Sequence, residues 1–406
     1  MCALAGMLPP PRLARHVRLR EPDSGAAIDD AIVLWFPAPH SVTGEDVAEF
    51  HIHGSRAVLS TLITTLSRRG LRLAEPGEFT RRAFFNDKLD LLQAEAIADL
   101  TAAETEAQRR QALRQLDGGL GDIYRDWAAR LLRLLAHFEA AIDFPDEDLP
   151  SEIEHDVVEQ TTALAAEIAA HLADERRGER LRDGIAIAIV GPPNAGKSSL
   201  LNSLAQREAA ITSPIAGTTR DVIEVAIDLA GYPVVLADTA GLRESADIIE
   251  QEGLRRALAR AEAAELRLFV FEAGRPEQAA GAAALPTGET LLVANKIDLG
   301  GNHTTLPPGA LPVSALTSEG IPALIETLAG RIAADYDVAA PLLTRARHRE
   351  ALEIALEALR RSLAAPLPEL RAEDLRLAWR SLGRITGQVD VEDLLDVIFA
   401  DFCIGK

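Results

Sequence analysis

Cysteine is nearly missing: two residues in 406, Cys2 and Cys403. That scarcity excludes a disulfide framework and any zinc centre built on several thiolates. Long apolar runs are missing as well, since none approaches the ~20 residues that span a bilayer. The opening MCALAGMLPPP lacks a basic n-region and makes a poor signal peptide. The chain therefore reads as soluble and cytoplasmic, with no membrane association expected. No internal repeat or low-complexity tract is present. Positive charge is the scarcer sign: 42 Lys+Arg stand against 62 Asp+Glu, a net charge of −20. Such a balance excludes a surface that grips nucleic acid throughout, because phosphate binding needs clustered Lys and Arg. It leaves room for a local patch, and Arg345, Arg347, His348 and Arg349 supply a small one.

What is present is a chain of two or three domains, at roughly 150 residues each. The first thirty residues show no clear strand or helix pattern, and Met1 need not be a natural domain edge. Ala31–Phe36 is a short buried-strand candidate, Gly44–Phe50 looks like a helix start, and Val58–Leu66 has helical spacing. Beyond Asn86, Leu89, Leu92, Ala96, Ile97 and Leu100 share one helical face. Ile123, Trp127, Leu131, Leu134, Leu135, Phe138 and Ile142 share another, stopped by Phe144-Pro145-Asp146. A third helical stretch runs from Glu152 to Glu179. At Asp183-Gly184 the period changes: Ile185–Val190, Val234–Ala237, Leu266–Phe271 and Leu291–Val293 are short apolar runs separated by helical stretches. A parallel α/β sheet is written this way. The helical pattern resumes from about Thr344. The simplest architecture is an α/β domain inserted between two halves of a helical domain, with a smaller mixed domain in front.

The sharpest motif follows the run Ile185–Val190. Gly191-Pro192-Pro193-Asn194-Ala195-Gly196-Lys197-Ser198 fits G-x-x-x-x-G-K-[ST] between a strand and a helix that begins around Ser199. Glycines let backbone N–H groups turn in on phosphates, Lys197 adds charge at the β- and γ-phosphates, and the Ser198 hydroxyl suits Mg²⁺. Asp238-Thr239-Ala240-Gly241 ends the next strand, where Asp238 can hold Mg²⁺ through water and the Gly241 N–H can sense the γ-phosphate. Asn295-Lys296-Ile297-Asp298 follows a third strand, and a carboxylate at Asp298 can accept both N–H groups of a guanine edge, which adenine does not offer. Ser314-Ala315-Leu316 fits the loop that backs the base. Four boxes in order, each after a strand, describe a P-loop GTPase with GTP as substrate.

Two details qualify the chemistry. The position where a water-orienting glutamine normally follows the glycine is Leu242. Glu244, Asp247, Glu250 and Glu252 are all nearby, and the residue chemistry alone does not choose among them. In the loop Ser213-Pro214-Ile215-Ala216-Gly217-Thr218-Thr219-Arg220, Thr219 offers a hydroxyl to Mg²⁺. Asn194 with the loop carbonyls can coordinate a monovalent cation in place of an arginine finger. An ordinary switch loop with Asn194 as a turn residue fits the same letters.

The segments GPPNAGKSSLLN, IAGTTRD, DTAGLRE, PGEFTRRAFFNDKLDLLQAEAIADL, EAAIDFPDED and the terminal FCIGK together resemble the MnmE (TrmE) family of tRNA modification GTPases. The resemblance runs from about Ala31 to Lys406. It implies four segments: a tetrahydrofolate-binding and dimerisation domain over 1–86, helical halves at 87–182 and 338–406, and a G domain at 183–337. It further implies that Asn194, Ser213, Ile215 and Thr218 bind K⁺ and that Glu250 positions the catalytic water. Lys197, Arg220 and Cys403 are further catalytic candidates. The nucleotide set is Asn194, Ala195, Gly196, Lys197, Ser198, Ser199, Thr218, Thr219, Asp238, Thr239, Ala240, Gly241, Asn295, Lys296, Asp298, Ser314 and Ala315, with Mg²⁺ on Ser198 and Thr219. Members act as homodimers with an FAD-containing partner, MnmG (GidA), in a heterotetramer or larger assembly. With it they install an aminomethyl-type group on the wobble uridine of tRNA, taking the carbon from a tetrahydrofolate derivative.

For the folate the resemblance selects Glu49, Lys88 and Lys406; judged alone, Glu49 and Lys88 read as solvated helix charges. Cys403 alone reads as a small buried residue, although a thiol near a chain end can reach a substrate. Members usually carry a further N-terminal stretch with a first strand and an arginine, so the folate site is expected to be incomplete here and the N-terminal sheet a strand short. Ser213 and Pro214 stand where Thr and an acid are usual, and both keep an oxygen for K⁺. Ser55 replaces a glycine. A regulatory ribosome-assembly GTPase that binds RNA is the alternative, since such proteins share the P-loop asparagine. They commonly append a basic domain, which this acidic chain lacks.

Overall fold

The computed structural model describes residues 1–143, 151–207, 224–238, 264–285, 289–300, 306–336, 342–389 and 398. Two compact units divide the chain. One comprises Met1–Ala98, Leu116–Asp148 and Ala365–Lys406, the other Asp99–Gln115 and Leu149–Ala364.

A short helix α1 (Cys2–Ala5) precedes strands β1 (Arg15–Arg20), β2 (Ala27–Phe36) and β3 (Val47–His51), then helices α2 (Arg56–Arg68) and α3 (Glu78–Phe85). The strands form an antiparallel sheet in the order β1-β2-β3. Leu19, Ala31 and Val33 are buried in one cluster with Leu62 of α2. Two expectations fail here. The first thirty residues do hold a strand, β1, whose register partners lie on β2 from Ala27 to Val33. Its arginines and histidine sit on the exposed positions, so the apolar half of the alternation is thin and hard to see. The segment 44–50 is likewise no helix. β3 pairs with Ile32–Phe36, and the preceding acids belong to a loop: Asp46 accepts from the Ala38 N–H at 2.9 Å, and Thr43 Oγ1 from the Glu45 N–H at 3.2 Å. Side chains that bond a loop backbone imitate the composition of a helix start. Ser55, unexplained from sequence, caps α2: its hydroxyl accepts from the Ala57 N–H at 3.2 Å.

Next come α4 (Leu91–Ala102), α5 (Glu106–Leu116) and α6 (Gly119–Asp143), which ends just before the expected stop, and then α7 (Ser151–Leu172) and α8 (Arg177–Asp183). The α/β part follows: β4 (Ile185–Val190), α9 (Lys197–Arg207), β5 (Glu224–Leu229), β6 (Tyr232–Asp238), β7 (Leu266–Glu272), β8 (Glu289–Asn295), β9 (Leu311–Pro312) and α10 (Ile321–Tyr336). The last described helices are α11 (Ala346–Ala364) and α12 (Pro368–Thr386). In the first unit α12 packs along α6, and in the second α11 packs along α7.

The second unit's sheet has the order β5-β6-β4-β7-β8-β9. Every neighbouring pair is parallel except β5 with β6. The strand β4 explains its own fit. Ile185, Ile187 and Ile189 alternate onto one face, where they meet Leu200, Leu204, Leu324 and Leu328. Ala188 and Val190 turn to the other face with Phe269 and Phe271. Burying each isoleucine contributes about 1.5–3 kcal/mol, so slipping β4 by one residue would exchange three isoleucines for smaller side chains. This register fixes where β4 ends and where the glycine-rich loop begins.

Candidate functional site: the loops at the strand ends

The loop after β4 is set by backbone conformation. Gly191 has φ +142° and Gly196 φ +89°, and neither position has space for a side chain. A Cβ on Gly191 would lie 2.0 Å from the Val270 carbonyl oxygen, and one on Gly196 2.3 Å from Asn295 Nδ2. Between them Asn194 takes φ +62°, a left-handed conformation that Asn tolerates better than most residues. The first turn of α9 begins at Lys197, with the Leu200 N–H closing on Gly196 O at 2.9 Å. The N–H groups of Lys197, Ser198 and Ser199 precede that bond at the helix start, the place where backbone N–H groups meet anions. Both serines are exposed, whereas Ala195 and Lys197 are buried. The Lys197 ammonium lies inside the curl, donating to Gly191 O at 3.0 Å and Pro192 O at 2.8 Å.

Asn295 binds the loops to one another. It is fully buried at the end of β8. Its Nδ2 donates to Ala195 O at 2.9 Å and its Oδ1 accepts from the Ala315 N–H at 3.0 Å. One amide thus joins the glycine-rich loop, the β8 end and the segment after β9. Ser314 Oγ donates to Asp298 Oδ1 at 2.5 Å and accepts from the Thr317 N–H at 3.1 Å. That holds an exposed carboxylate in one orientation. Asp238 closes β6, in register with Ile189 of β4, so it stands at the same sheet edge as the loop. Ala195, Gly196, Lys197, Asn295, Asp298, Ser314 and Ala315 are therefore brought together as the motif spacing requires. An exposed hydroxyl at Ser198 on the first helical turn fits a Mg²⁺ ligand.

Sequence reasoning missed Glu272. It ends β7 and accepts from Lys296 Nζ at 2.6 Å, and the lysine holds its carboxyl below the usual range. The readable signal was an acid closing the apolar run Leu266–Phe271, on a strand adjacent to the one that ends in Asn295-Lys296.

Other expected residues stand elsewhere. Glu49 is on strand β3, exposed, paired to His51 Nε2 at 3.0 Å. Lys88 is exposed in the turn after α3, its Cε 3.0 Å from where a Cβ on Gly44 would sit. Neither is on a helix. Ser213, Ile215, Thr218, Thr219, Arg220, Thr239, Ala240, Gly241, Glu250, Cys403 and Lys406 lie outside the described residues. The basic patch is corrected. Arg349 is buried, donating to Asp174 at 2.6 Å, Glu179 at 2.7 Å and Leu172 O at 2.9 Å. Arg345 donates to Asp99 at 2.7 Å, and His348 is wholly buried. Arg345 and Arg349 are held by acids and His348 is buried, so the run does not stand out as one basic surface.

The model of the MnmE helical domain matches residues 91–403, and that of the GTP-binding protein TrmE N-terminus matches residues 3–88. The tRNA modification GTPase MnmE of Parvibaculum lavamentivorans is 58% identical over 402 residues, covering 98% of this chain and 91% of that protein. The chain belongs to the MnmE family of tRNA modification GTPases. The MnmE protein of Rhodospirillum rubrum is 57% identical, covering 99% of this chain and 92% of its own length. The G domain of the T. maritima FeoB iron transporter matches at 25% identity, covering 38% of this chain and 99% of that one, with a TM-score of 0.27. An overlap that slight carries no argument. As an MnmE-family enzyme the chain is a GTPase, with the P-loop α/β part set between helical segments that one family model spans. Among the described residues no helix is long and apolar enough to cross a membrane.

Proposed function

We propose that this chain is the K⁺-dependent GTP-hydrolysing component of a tRNA wobble-uridine C5 modification complex. In this reading it works in the cytoplasm as a homodimer, with an FAD-containing MnmG partner and a tetrahydrofolate one-carbon donor. The domain division is 1–86, 87–182, 183–337 and 338–406. The observation that carries the nucleotide half is the Asn295 amide joining Ala195 O to the Ala315 N–H. It ties the phosphate-facing loop to the base-facing loop, which a bare glycine-rich turn has no need to do.

The roles follow from the motifs and from the family resemblance. Lys197 and the first N–H groups of α9 meet the β- and γ-phosphates. Asp298, oriented by Ser314, accepts from the guanine edge, and Ala315 backs it. Ser198 and Thr219 hold Mg²⁺, with Asp238 acting through water; the ion neutralises charge that develops on the phosphates. Asn194 with Ser213, Ile215 and Thr218 holds K⁺, and Glu250 positions the attacking water in place of the glutamine that Leu242 displaces. Glu49, Lys88 and Lys406 serve the folate, and Cys403 is a catalytic candidate toward the uridine.

Hydrolysis of GTP and ATP is to be compared in K⁺ and in Na⁺ at equal ionic strength. Faster GTP turnover in K⁺ is expected, with little ATP turnover; equal rates in both salts would remove Asn194 from the mechanism. For the tRNA half, nucleoside mass spectrometry of tRNA from a bacterial strain lacking the activity, complemented with this chain, should show the modified wobble uridine. GTPase activity without any restored modification would favour a regulatory switch.

A further inference from the structure

Lys296 does not extend into solvent as a free base wall. Its backbone lies in the left-handed region at φ +67°, a conformation that an unbranched residue adopts only against a cost. That turn sends its stem across the glycine-rich loop, with Cε 3.9 Å from where a Cβ on Gly196 would sit. The stem ends on Glu272 Oε1 at 2.6 Å. Glu272 is itself held. It pairs in register with Asn295, the Ala273 N–H donates to Asn295 O at 2.8 Å, and the Glu272 N–H donates to Gln278 Oε1 at 3.2 Å. Its second carboxylate oxygen faces Arg275 Nε at 3.5 Å. The acid is therefore a fixed post, and the lysine is stretched between that post and its own strained backbone.

We infer that Glu272 is a positioning residue for the guanine nucleotide: it pins Lys296 so that the lysine stem forms a preset apolar strip beside Asp298. This rests on the guanine-nucleotide reading of the site. Two consequences follow. The side-chain freedom that a ligand would otherwise have to remove from Lys296 is already gone before binding. The Lys296 ammonium is also neutralised at the base end, which leaves Lys197 as the cation of the phosphate end. A post of this kind acts on binding and leaves the hydrolytic step alone.

The test uses the full chain, with fluorescent GDP release and steady-state GTP kinetics for wild type, Glu272→Ala, Glu272→Gln, Lys296→Ala and the double alanine variant. Glu272→Ala should raise KM and the GDP release rate about fivefold, the scale of one partly exposed ion pair, with kcat unchanged. Lys296→Ala should do at least as much, the double variant should be no worse than Lys296→Ala, and Glu272→Gln, keeping an acceptor oxygen, should fall between. Unchanged release in Glu272→Ala overturns the inference. So do losses that multiply in the double variant, or a fall in kcat accompanied by a lower melting temperature. Wild-type protein that binds no guanine nucleotide would instead remove the reading on which the inference rests.

Discussion

The two ends of the second unit's sheet are built from different materials. At the nucleotide end, shape comes from backbone: positive φ at Gly191, Asn194, Gly196 and Lys296, fastened by one buried amide, Asn295. At the opposite end charged side chains do the fastening. The helix α8, which feeds directly into β4, is tied on two sides. Toward the sheet, Arg180 lies 3.4 Å from Glu265, to which the Tyr336 hydroxyl also donates. Toward the helices, Glu179 accepts from Arg349, Arg182 donates to Asp99 at 2.9 Å, and Gln111 donates to Gly178 O at 2.9 Å. Gly178 packs so tightly that a Cβ there would meet Leu343 O at 2.1 Å. An anion-binding end turns backbone N–H groups toward its ligand, and the ion pair found there, Lys296 with Glu272, is small beside the network at the base. The base is closed with ions. The comparison teaches that stability and chemistry in this unit should be separable by mutation.

The largest effect belongs to the base. Arg349 and Asp174 are both less than a tenth exposed, so Arg349→Ala strands the buried carboxylate of Asp174 and the partly buried one of Glu179. Breaking a buried pair from one side costs about 3–5 kcal/mol, and urea denaturation should read a loss of that size. Changing Arg345, Arg347 and Arg349 together to Ala should destabilise further, through the Asp99 pair as well, and should lower tRNA binding only as far as the fold is lost. A triple variant with an unchanged denaturation midpoint and lost tRNA binding would restore the surface-patch reading.

Glu250→Ala should act on the proposed hydrolysis alone. If Glu250 orients the attacking water, its removal lowers hydrolysis about a hundredfold, as for one electrostatic or positioning group. GTP affinity and the denaturation midpoint should stay as in the wild type. Unchanged turnover would take Glu250 out of the mechanism and return Glu244, Asp247 and Glu252 to consideration.

This difference between the ends also explains what the letters could and could not tell. The strands at Ile185–Val190 and Leu266–Phe271, and the loops after them, were legible because apolar runs and glycine–lysine spacing are local signals. Asn295 was legible by motif, but its two hydrogen bonds, to Ala195 O and from the Ala315 N–H, depend on three segments 20 to 100 residues apart. The base was misread for the same reason. Arg349 finds Asp174 and Glu179 at separations of 175 and 170 residues, so a run of adjacent arginines looked like a surface. β3 was misread as a helix start because pairing with β2, a tertiary event, overrode local composition. β5 was passed over because Glu224 and Asp228 interrupt an already short apolar run.

The smallest effect sharpens the comparison through pH. Burial pushes the Glu265 carboxyl above the ordinary 4.5, while the hydrogen bond from Tyr336 and the charge of Arg180 pull the other way. A group whose folded pKa is raised binds its proton more tightly in the folded state. The stability it lends is therefore complete below the ordinary value and disappears as pH rises through the elevated one. Glu265→Gln keeps the shape and stays neutral, so it should match the wild type in acid and exceed it at neutral pH, where the wild-type carboxylate is ionised in a poorly solvated place. The Tyr336 hydroxyl can still donate to the amide oxygen, although the contact with Arg180 weakens. Melting temperatures across pH 4 to 8 would decide it. Curves that diverge with the wild type above the variant at neutral pH would mean that the Arg180 and Tyr336 contacts outweigh burial. The base would then draw net stability from this charge as well, as it does from Arg349.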